Sequence, residues 1–311
     1  MTNHVSESRQ RALDGVRAPA PSCALVFVCV LLFMAARTAQ AQTLNVLHNF
    51  AGGKSDGANA SGNLLLDAQG NLYGTTLNGG ARRHGVVFEL TSNSIYKLLY
   101  SFTGKADGIS PKGSLIQDGQ GNLYGVTWEG GVNHYGTVFK LAPTEELTVL
   151  HSFSGAPDGG LSLGGLALDE QGNVYGTTIE GGATSRTCPI GCGTVFKVTA
   201  SGTESLIYSF QGGAGDGSYP LWGLVRDAHG NLYGATNQGG AQDGGILFKV
   251  TPAGSETVLH DFQSNGQPGD GAIPNGGLIA DARGNFYGTT FTGGASDCGT
   301  VFELMKSGSK R

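Results

Sequence analysis

The sequence predicts an all-β protein, a five-bladed β-propeller whose N-terminal strand completes the last blade. The stretch Asn71-Leu72-Tyr73-Gly74-Thr75-Thr76, then Gly79-Gly80, then Gly85-Val86-Val87-Phe88, returns over residues 122–139, 173–196, 231–248 and 285–302. The tyrosines that mark the copies, Tyr73, Tyr124, Tyr175, Tyr233 and Tyr287, are spaced by 51, 51, 58 and 54 residues. That period suits a blade-sized β unit rather than a helical repeat. Apolar runs of four to seven residues alternate with Gly, Asp, Asn and Ser turns, and nothing has helical periodicity.

Each unit supplies four strands. The first is a short apolar run: Leu64 to Leu66, Leu115-Ile116, Leu166 to Leu168, Leu224-Val225 and Leu278-Ile279. It closes on an acidic turn opening at Asp67, Asp118, Asp169, Asp227 or Asp281. There Asp bonds the turn backbone and Gly supplies a positive φ, which makes a tight hairpin. The second strand is Leu72 to Thr76, with a mid-strand Gly that implies close approach of a neighbour. The third is Val86 to Leu90. The fourth is Tyr96 to Phe102, matched by residues 147–153, 206–210 and 257–262.

The phase of the repeats gives the closure. The fifth unit ends at Leu304, after its third strand, while Leu44 to Phe50 repeats the pattern of Leu147 to Phe153. A ring therefore closes if the N-terminal strand lies beside the last blade, leaving no exposed sheet edge. An open β-solenoid is the alternative, and it does not predict this permutation. The blades are expected at about 51–102, 103–153, 154–210, 211–262 and 263–305 plus 43–50.

Residues 1–41 stand apart. Arg9, Arg11 and Arg17 precede an apolar run from Cys23 to Met34, and Ala39-Gln40-Ala41 follows. This is the order of a secretory signal peptide, with cleavage expected before Gln42; the run is too short for a spanning helix. Setting aside the four Arg, Glu7 and Asp14 of that segment leaves 15 basic and 22 acidic residues, a net of −7. Such a surface argues against nucleic acid and anionic membranes as partners. Charged residues make up 14% of the chain, against roughly 25% in an average protein. A released, monomeric, exported protein is expected, with residues 307–311 as a tail.

Three cysteines follow the leader. Cys188 and Cys192 bracket an insertion found in the third unit alone, and an oxidising compartment favours a disulfide between them. Cys298 aligns with Cys192 between repeats and has no evident partner.

The pattern Asn-Leu-Tyr-Gly-Thr-Thr, Gly-Gly, Gly-Thr-Val-Phe-Lys-Leu, then His-Ser-Phe and Asp-Gly resembles the GloVer-type tandem repeat of exported bacterial proteins with varied sorting anchors. The likeness spans about residues 43–305 and implies an exported or surface protein of uncharacterised activity. The Asp-x-x-Gly-Asn-x-Tyr turn is also similar to that of NHL-type propellers, which supports blades but brings no function with it.

Function is sought on the face with the long loops, since loops on a rigid scaffold commonly carry it. Two features recur there. The Asp-Gly aspartates, Asp56, Asp107, Asp158, Asp216 and Asp270, read as turn caps, or alternatively as a carboxylate ring holding Ca²⁺. The residues before Gly-Gly vary, and Asn78, Trp128, Glu129, Glu180 and Gln238 are the ligand-binding candidates. Trp128 beside Glu129 suits a sugar ring. Gly160-Leu161-Ser162-Leu163-Gly164 matches G-x-S-x-G but lacks the strand–turn–helix that a nucleophile elbow needs. His48, His151 and His260 interchange with Tyr100 and Tyr208 at one position of strand four, which reads as aromatic packing rather than metal ligation. No cofactor is expected beyond that Ca²⁺.

The reading is therefore a non-enzymatic binding module, with a polysaccharide or surface ligand engaged through repeated loops. Two alternatives stay open. One is a carbohydrate-active hydrolase with Glu129 and Glu180 as the carboxylate pair; the other is a structural spacer of the cell envelope.

Overall fold

In the first three repeats every connection is a hairpin, so each folds into an antiparallel sheet in chain order. The computed structural model describes residues 43–263 and 270–306. The expected signal peptide and the 307–311 tail lie outside the described residues. The chain divides into Met1–Val46 and Leu47–Arg311. Of the first unit only residues 43–46 are described, and they form neither strand nor helix.

In the second unit, the first repeat forms β1 (Gly57–Leu66), β2 (Leu72–Gly79), β3 (Val86–Leu90) and β4 (Tyr96–Ser101), paired in that order. The second repeats this with β5 (Ile109–Gln117), β6 (Leu123–Glu129), β7 (Thr137–Leu141) and β8 (Leu147–Ser152). The third has β9 (Ala167–Leu168), β10 (Val174–Thr178), β11 (Thr194–Val198) and β12 (Glu204–Ser209). In the fourth, the two-residue pair β13 (Gly217–Ser218) and β16 (Gln238–Gly239) accompanies a sheet of β14 (Val225–Arg226), β15 (Leu232–Ala235), β17 (Ile246–Val250) and β18 (Glu256–Asp261). In the fifth, β19 (Gly271–Pro274), β20 (Ile279–Ala280) and β22 (Val301–Leu304) all pair with β21 (Phe286–Gly293).

The recurring residues each have a steric or polar reason. Asp67 accepts from the backbone N–H of Gln69 (2.9 Å) and Asn71 (2.8 Å), from Asn71 Nδ2 (2.9 Å) and from the Tyr73 hydroxyl (3.1 Å). The same set recurs at Asp118, Asp169, Asp227 and Asp281. One carboxylate thus ties the turn to the tyrosine of the second strand. The mid-strand glycine makes room for the phenylalanine of the third strand. A Cβ on Gly125 would stand 2.6 Å from Phe139 Cζ, and the other four repeats show the same conflict.

Phenylalanines also lock each repeat to the next. Phe102, Phe153 and Phe210, each just beyond a fourth strand, meet Phe139, Phe196 and Phe248 edge-on at 5.0–5.3 Å. Phe262 meets Phe302 in a tilted pair at 5.3 Å. Leu115 joins Val87 and Phe102 of the preceding repeat in a shared core with Phe139 and Leu141.

The strand expected at residues 44–50 is not formed, and among the described residues no strand covers the free edge of β22. Val301 is accordingly 82% exposed, whereas its counterparts Val87, Val138 and Val195 are fully buried. The reason lies in where the anchors of this segment go. Phe50 packs edge-on against Phe88 at 5.1 Å, and His48 stacks on Tyr96 at 4.1 Å. Its side chains hold to the first sheet, as Phe102 and its counterparts hold to their next sheets, without a backbone ladder to β22.

Candidate functional site

Segments at or just ahead of the first apolar run of all five repeats converge on one cavity of about 400 Å³. Its wall runs through residues 61–63, 112–114, 163–165, 222–223 and Gly277. Glycines dominate because the backbones crowd together there. A Cβ on Gly113 would stand 2.7 Å from the Gly164 carbonyl oxygen, and one on Gly164 would stand 2.6 Å from the Trp222 backbone. The side chains between them differ: Asn63, Lys112, Ser114, Leu163 and Trp222. The Trp222 indole Nε1 is shut off from solvent and has no hydrogen-bond partner. No Asp, Glu or His lines the cavity among the described residues.

The ligand candidates named from sequence lie elsewhere. Asn78, Glu129 and Gln238 are exposed, and Trp128 and Glu180 are half-buried. Their backbones serve the scaffold: Thr127 donates to the Glu129 carbonyl at 3.1 Å, Thr178 to that of Glu180 at 2.8 Å, and Thr236 to that of Gln238 at 2.9 Å. Asn78 Nδ2 donates to Asn59 Oδ1 at 3.1 Å. Burial pushes the Glu180 carboxyl above its ordinary range. Trp128 is tied to the cavity indirectly. The Lys112 ammonium, on the cavity wall, sits 4.3 Å from the centre of the Trp128 ring, so a cation–π contact occupies a ring face that was expected to meet sugar.

The five Asp-Gly aspartates each close their own loop. Asp56 accepts from Ala51 N (2.7 Å) and Gly57 N (2.7 Å), Asp107 from Thr103 N (2.6 Å) and Lys105 N (3.1 Å), and Asp158 from Ser154 N (2.7 Å). Asp216 accepts from Gln211 N (2.7 Å) and Gly217 N (2.6 Å), and Asp270 from Gly271 N (2.9 Å). The glycine that follows is required by contact with a buried threonine: a Cβ on Gly108 would collide with Thr127, and one on Gly217 with Thr236. Burial opposes the charge of Asp107 and of Asp158, but these hydrogen bonds outweigh it and hold both carboxyls below the usual range.

A further partner explains an interchange that sequence reasoning took for aromatic packing alone. Tyr100 and Tyr208 donate their hydroxyls to Asp107 (3.1 Å) and Asp216 (2.9 Å). His48, His151 and His260 place Nε2 at 3.1 Å from Asp56, Asp158 and Asp270. The rings also pack, as His151 does edge-on against Phe153 at 5.0 Å. Tyr and His alternate because both set an aromatic ring on the next phenylalanine and reach the same carboxylate with a polar tip.

Two acidic residues missed from sequence, Glu204 and Glu256, open the fourth strands β12 and β18 where Tyr96 and Leu147 stand in earlier repeats. The Oε1 atom of each is buried without a partner. The visible signal was an acid at a position otherwise aromatic or aliphatic. The cavity residues were signalled too, by the variable residues flanking the glycine ahead of each first apolar run.

Cys188 and Cys192 are joined as a disulfide with Cα atoms 5.1 Å apart, and both are fully buried. Both belong to a core with Phe210 and Val195, so the insertion is pinned to the third repeat. Cys298 is a free, exposed thiol.

The Gloeobacter/Verrucomicrobia repeat matches residues 33–188 and 182–311. The chain belongs to that family. No curated protein matches it. Among solved structures, streptogramin B lyase aligns over 80% of this chain and 70% of its own, at 14% identity and a TM-score of 0.51. The extracellular domain of a protein described as a hybrid two-component system of B. thetaiotaomicron aligns over 82% of this chain and 28% of its own, at 12% identity and a TM-score of 0.54. A gluconolactonase of Xanthomonas campestris aligns over 78% and 71%, at 16% identity and a TM-score of 0.47. The neighbours are of propeller type, and the likeness is one of fold. No helix among the described residues is long and apolar enough to cross a membrane.

Proposed function

We propose that this member of the family is an exported five-bladed propeller that binds a ligand, of carbohydrate class, without transforming it. Phe50, seated edge-on against Phe88 of the first sheet as Phe153 is against Phe196, supports closure of the repeats into a ring. Export rests on the leader-like order of residues 1–41, and the extracellular neighbour agrees with it.

The central cavity carries the binding reading. All five repeats contribute to its wall, and its side chains are those of a recognition site: an indole ring, an amide, hydroxyls and one ammonium. A few convergent polar groups in an otherwise apolar hollow suit orientation of a small ligand. A sugar ring would pack on Trp222, and its hydroxyls would pair with Asn63 and Ser114. Acid–base hydrolysis needs two carboxyl groups about 5–9.5 Å apart, and the wall offers none.

A glycan array, followed by calorimetry on the best hit and by glycosidase substrates in parallel, tests this. Binding that is lost in Trp222→Ala, with the fold retained, is expected. Absence of binding across the array would overturn the reading. So would turnover abolished by Glu129→Gln or Glu180→Gln.

A further inference from the structure

The junction between the second and third repeats differs from its counterparts. His151 on β8, Asp158 in the following loop and Glu204 at the start of β12 come together, each presenting a ligand atom, and these atoms lie within 4.8 Å of one another. His151 Nε2 is 3.1 Å from Asp158 Oδ1 and 3.2 Å from Oδ2. The two side chains are 19% and 15% exposed. Asp158 is oriented from behind by Ser154, whose N–H and hydroxyl donate to Oδ2 at 2.7 and 3.0 Å. Glu204 Oε1 is buried at this place with no hydrogen-bond partner in the protein.

The equivalent places serve as internal controls. At the first junction the set is His48, Asp56 and Tyr96; at the next it is Tyr100, Asp107 and Leu147; at the fourth it is Tyr208, Asp216 and Glu256. Each has the loop-capping aspartate and a ring partner, so the scaffold role is met without a second carboxylate beside an imidazole. Only here, among the described residues, do one imidazole and two carboxylates meet. Two carboxylates sharing a half-buried place repel one another unless a cation or a proton intervenes.

We propose that His151, Asp158 and Glu204 bind a divalent transition-metal ion of the zinc class, pinning the second and third repeats together. An imidazole with two carboxylates suits such an ion better than Mg²⁺ or Ca²⁺, which favour all-oxygen shells. Bonds of about 2.0–2.2 Å at near-tetrahedral angles place donors roughly 3.3–3.6 Å apart, so donors now within 4.8 Å of one another must draw in by up to about 1.5 Å, a shift that side-chain rotation can supply. The backbone bond from Ser154 is the kind of outer-shell support that orients a ligating carboxylate.

The decisive variant is His151→Tyr, which converts this junction to the residues found at the Tyr208 junction and keeps both ring packing and the reach to aspartate. Protein stripped with chelator and dialysed is titrated with Zn²⁺ by calorimetry, and thermal unfolding is followed with and without Zn²⁺. One equivalent of Zn²⁺ bound, with a raised midpoint, is expected in the parent. In His151→Tyr and in Glu204→Gln, binding should weaken by more than the roughly 10–100-fold that loss of an outer-shell partner costs. Glu256→Gln should bind as the parent does. Parent protein that takes up no Zn²⁺ overturns the proposal, and so does His151→Tyr protein that is folded yet binds equally well.

Discussion

Phe50 meets Phe88 edge-on with ring centres 5.1 Å apart, although Phe50 is 38 positions earlier in the chain and belongs to no strand. It is the contact that Phe153 makes with Phe196 at the same separation. The N-terminal segment is thus docked by its aromatic side chain as the end of a blade would be. Phe153 is fully buried and Phe50 only partly. Truncation should therefore cost unequally: about 3–5 kcal/mol for Phe153→Ala and about 1–3 kcal/mol for Phe50→Ala. Urea unfolding of both variants checks the order. Equal losses would mean that Phe50 is as enclosed as the interior phenylalanines.

The mid-strand glycine gives a sharper steric expectation. Gly125→Ala would bring a methyl group to 2.6 Å from Phe139 Cζ and 2.8 Å from Leu115 Cδ2. Both side chains are buried, so relief requires off-rotamer shifts costing about 1–3 kcal/mol. Gly119→Ala meets nothing within 4 Å and should change stability little. A denaturant midpoint that falls for the first variant and holds for the second is expected. If Gly125→Ala is neutral, the close approach is not what requires glycine there.

The turn network predicts a polar cost of a different kind. Tyr175 is buried and donates to Asp169 Oδ2 at 2.8 Å. Burial, the hydrogen bond and the charge of Asp169 push its hydroxyl up to about 12. Tyr175→Phe removes a hydrogen bond to a charged acceptor, worth about 1.5–3 kcal/mol. The remaining donors to Asp169 should keep the turn intact, so the loss belongs near the lower end. Ultraviolet titration of the parent should show tyrosines that ionise only near pH 12, and unfolding of the variant should show the lower stability.

What could be read from sequence follows from which interactions are local. The Asp67–Asn71–Tyr73 turn spans seven residues, so the pattern shows it and the structure has it. The disulfide partners, four positions apart, were legible for the same reason. Glycine positions were legible as constraints, but their cause was not: nothing local says that Gly108 abuts Thr127 or that Gly74 abuts Phe88. The cavity was missed because its wall draws one to three residues from each repeat, about 50 positions apart, and only the ring arrangement brings Lys112 near Trp222. The candidates beside Gly-Gly were chosen for variability, which exposed loops share with binding sites. The closing strand was inferred from repeat phase, and phase carries no information on whether a backbone ladder to β22 forms.

The Cys188–Cys192 bridge encloses a short loop, so its effect should be modest and confined to the third repeat. A ring of about five residues restricts the unfolded chain by about 2 kcal/mol in the chain-entropy account. Both cysteines line the core shared with Phe210. Cys188→Ser with Cys192→Ser therefore adds two buried hydroxyls to the lost constraint, whereas the double alanine variant isolates the constraint more cleanly. The alanine pair is expected to lower stability by about 2 kcal/mol, measured by urea unfolding with and without reductant. A parent unaffected by reductant, despite verified reduction, would contradict this.

Glu256 sets the expected pH dependence. Burial first, and the charge of Asp216 second, push its carboxyl from an ordinary 4.5 up to about 7. Between those values the folded protein holds a proton that the unfolded chain has released. The contribution to stability is therefore complete below about pH 4.5 and is lost as pH rises through 7. The hydrogen-bonded aspartates held below their usual range, such as Asp107 and Asp118, act in the opposite sense but below pH 4, outside this window. Burial also raises Glu180 and Glu204, so the parent curve alone does not isolate one residue. The comparison with Glu256→Gln does, since glutamine keeps the shape and cannot ionise. With chelator present to exclude metal effects, the melting temperature of the parent should fall more steeply from pH 5 to pH 8 than that of the variant. Parallel curves would mean that Glu256 is solvated enough in the folded state to ionise normally.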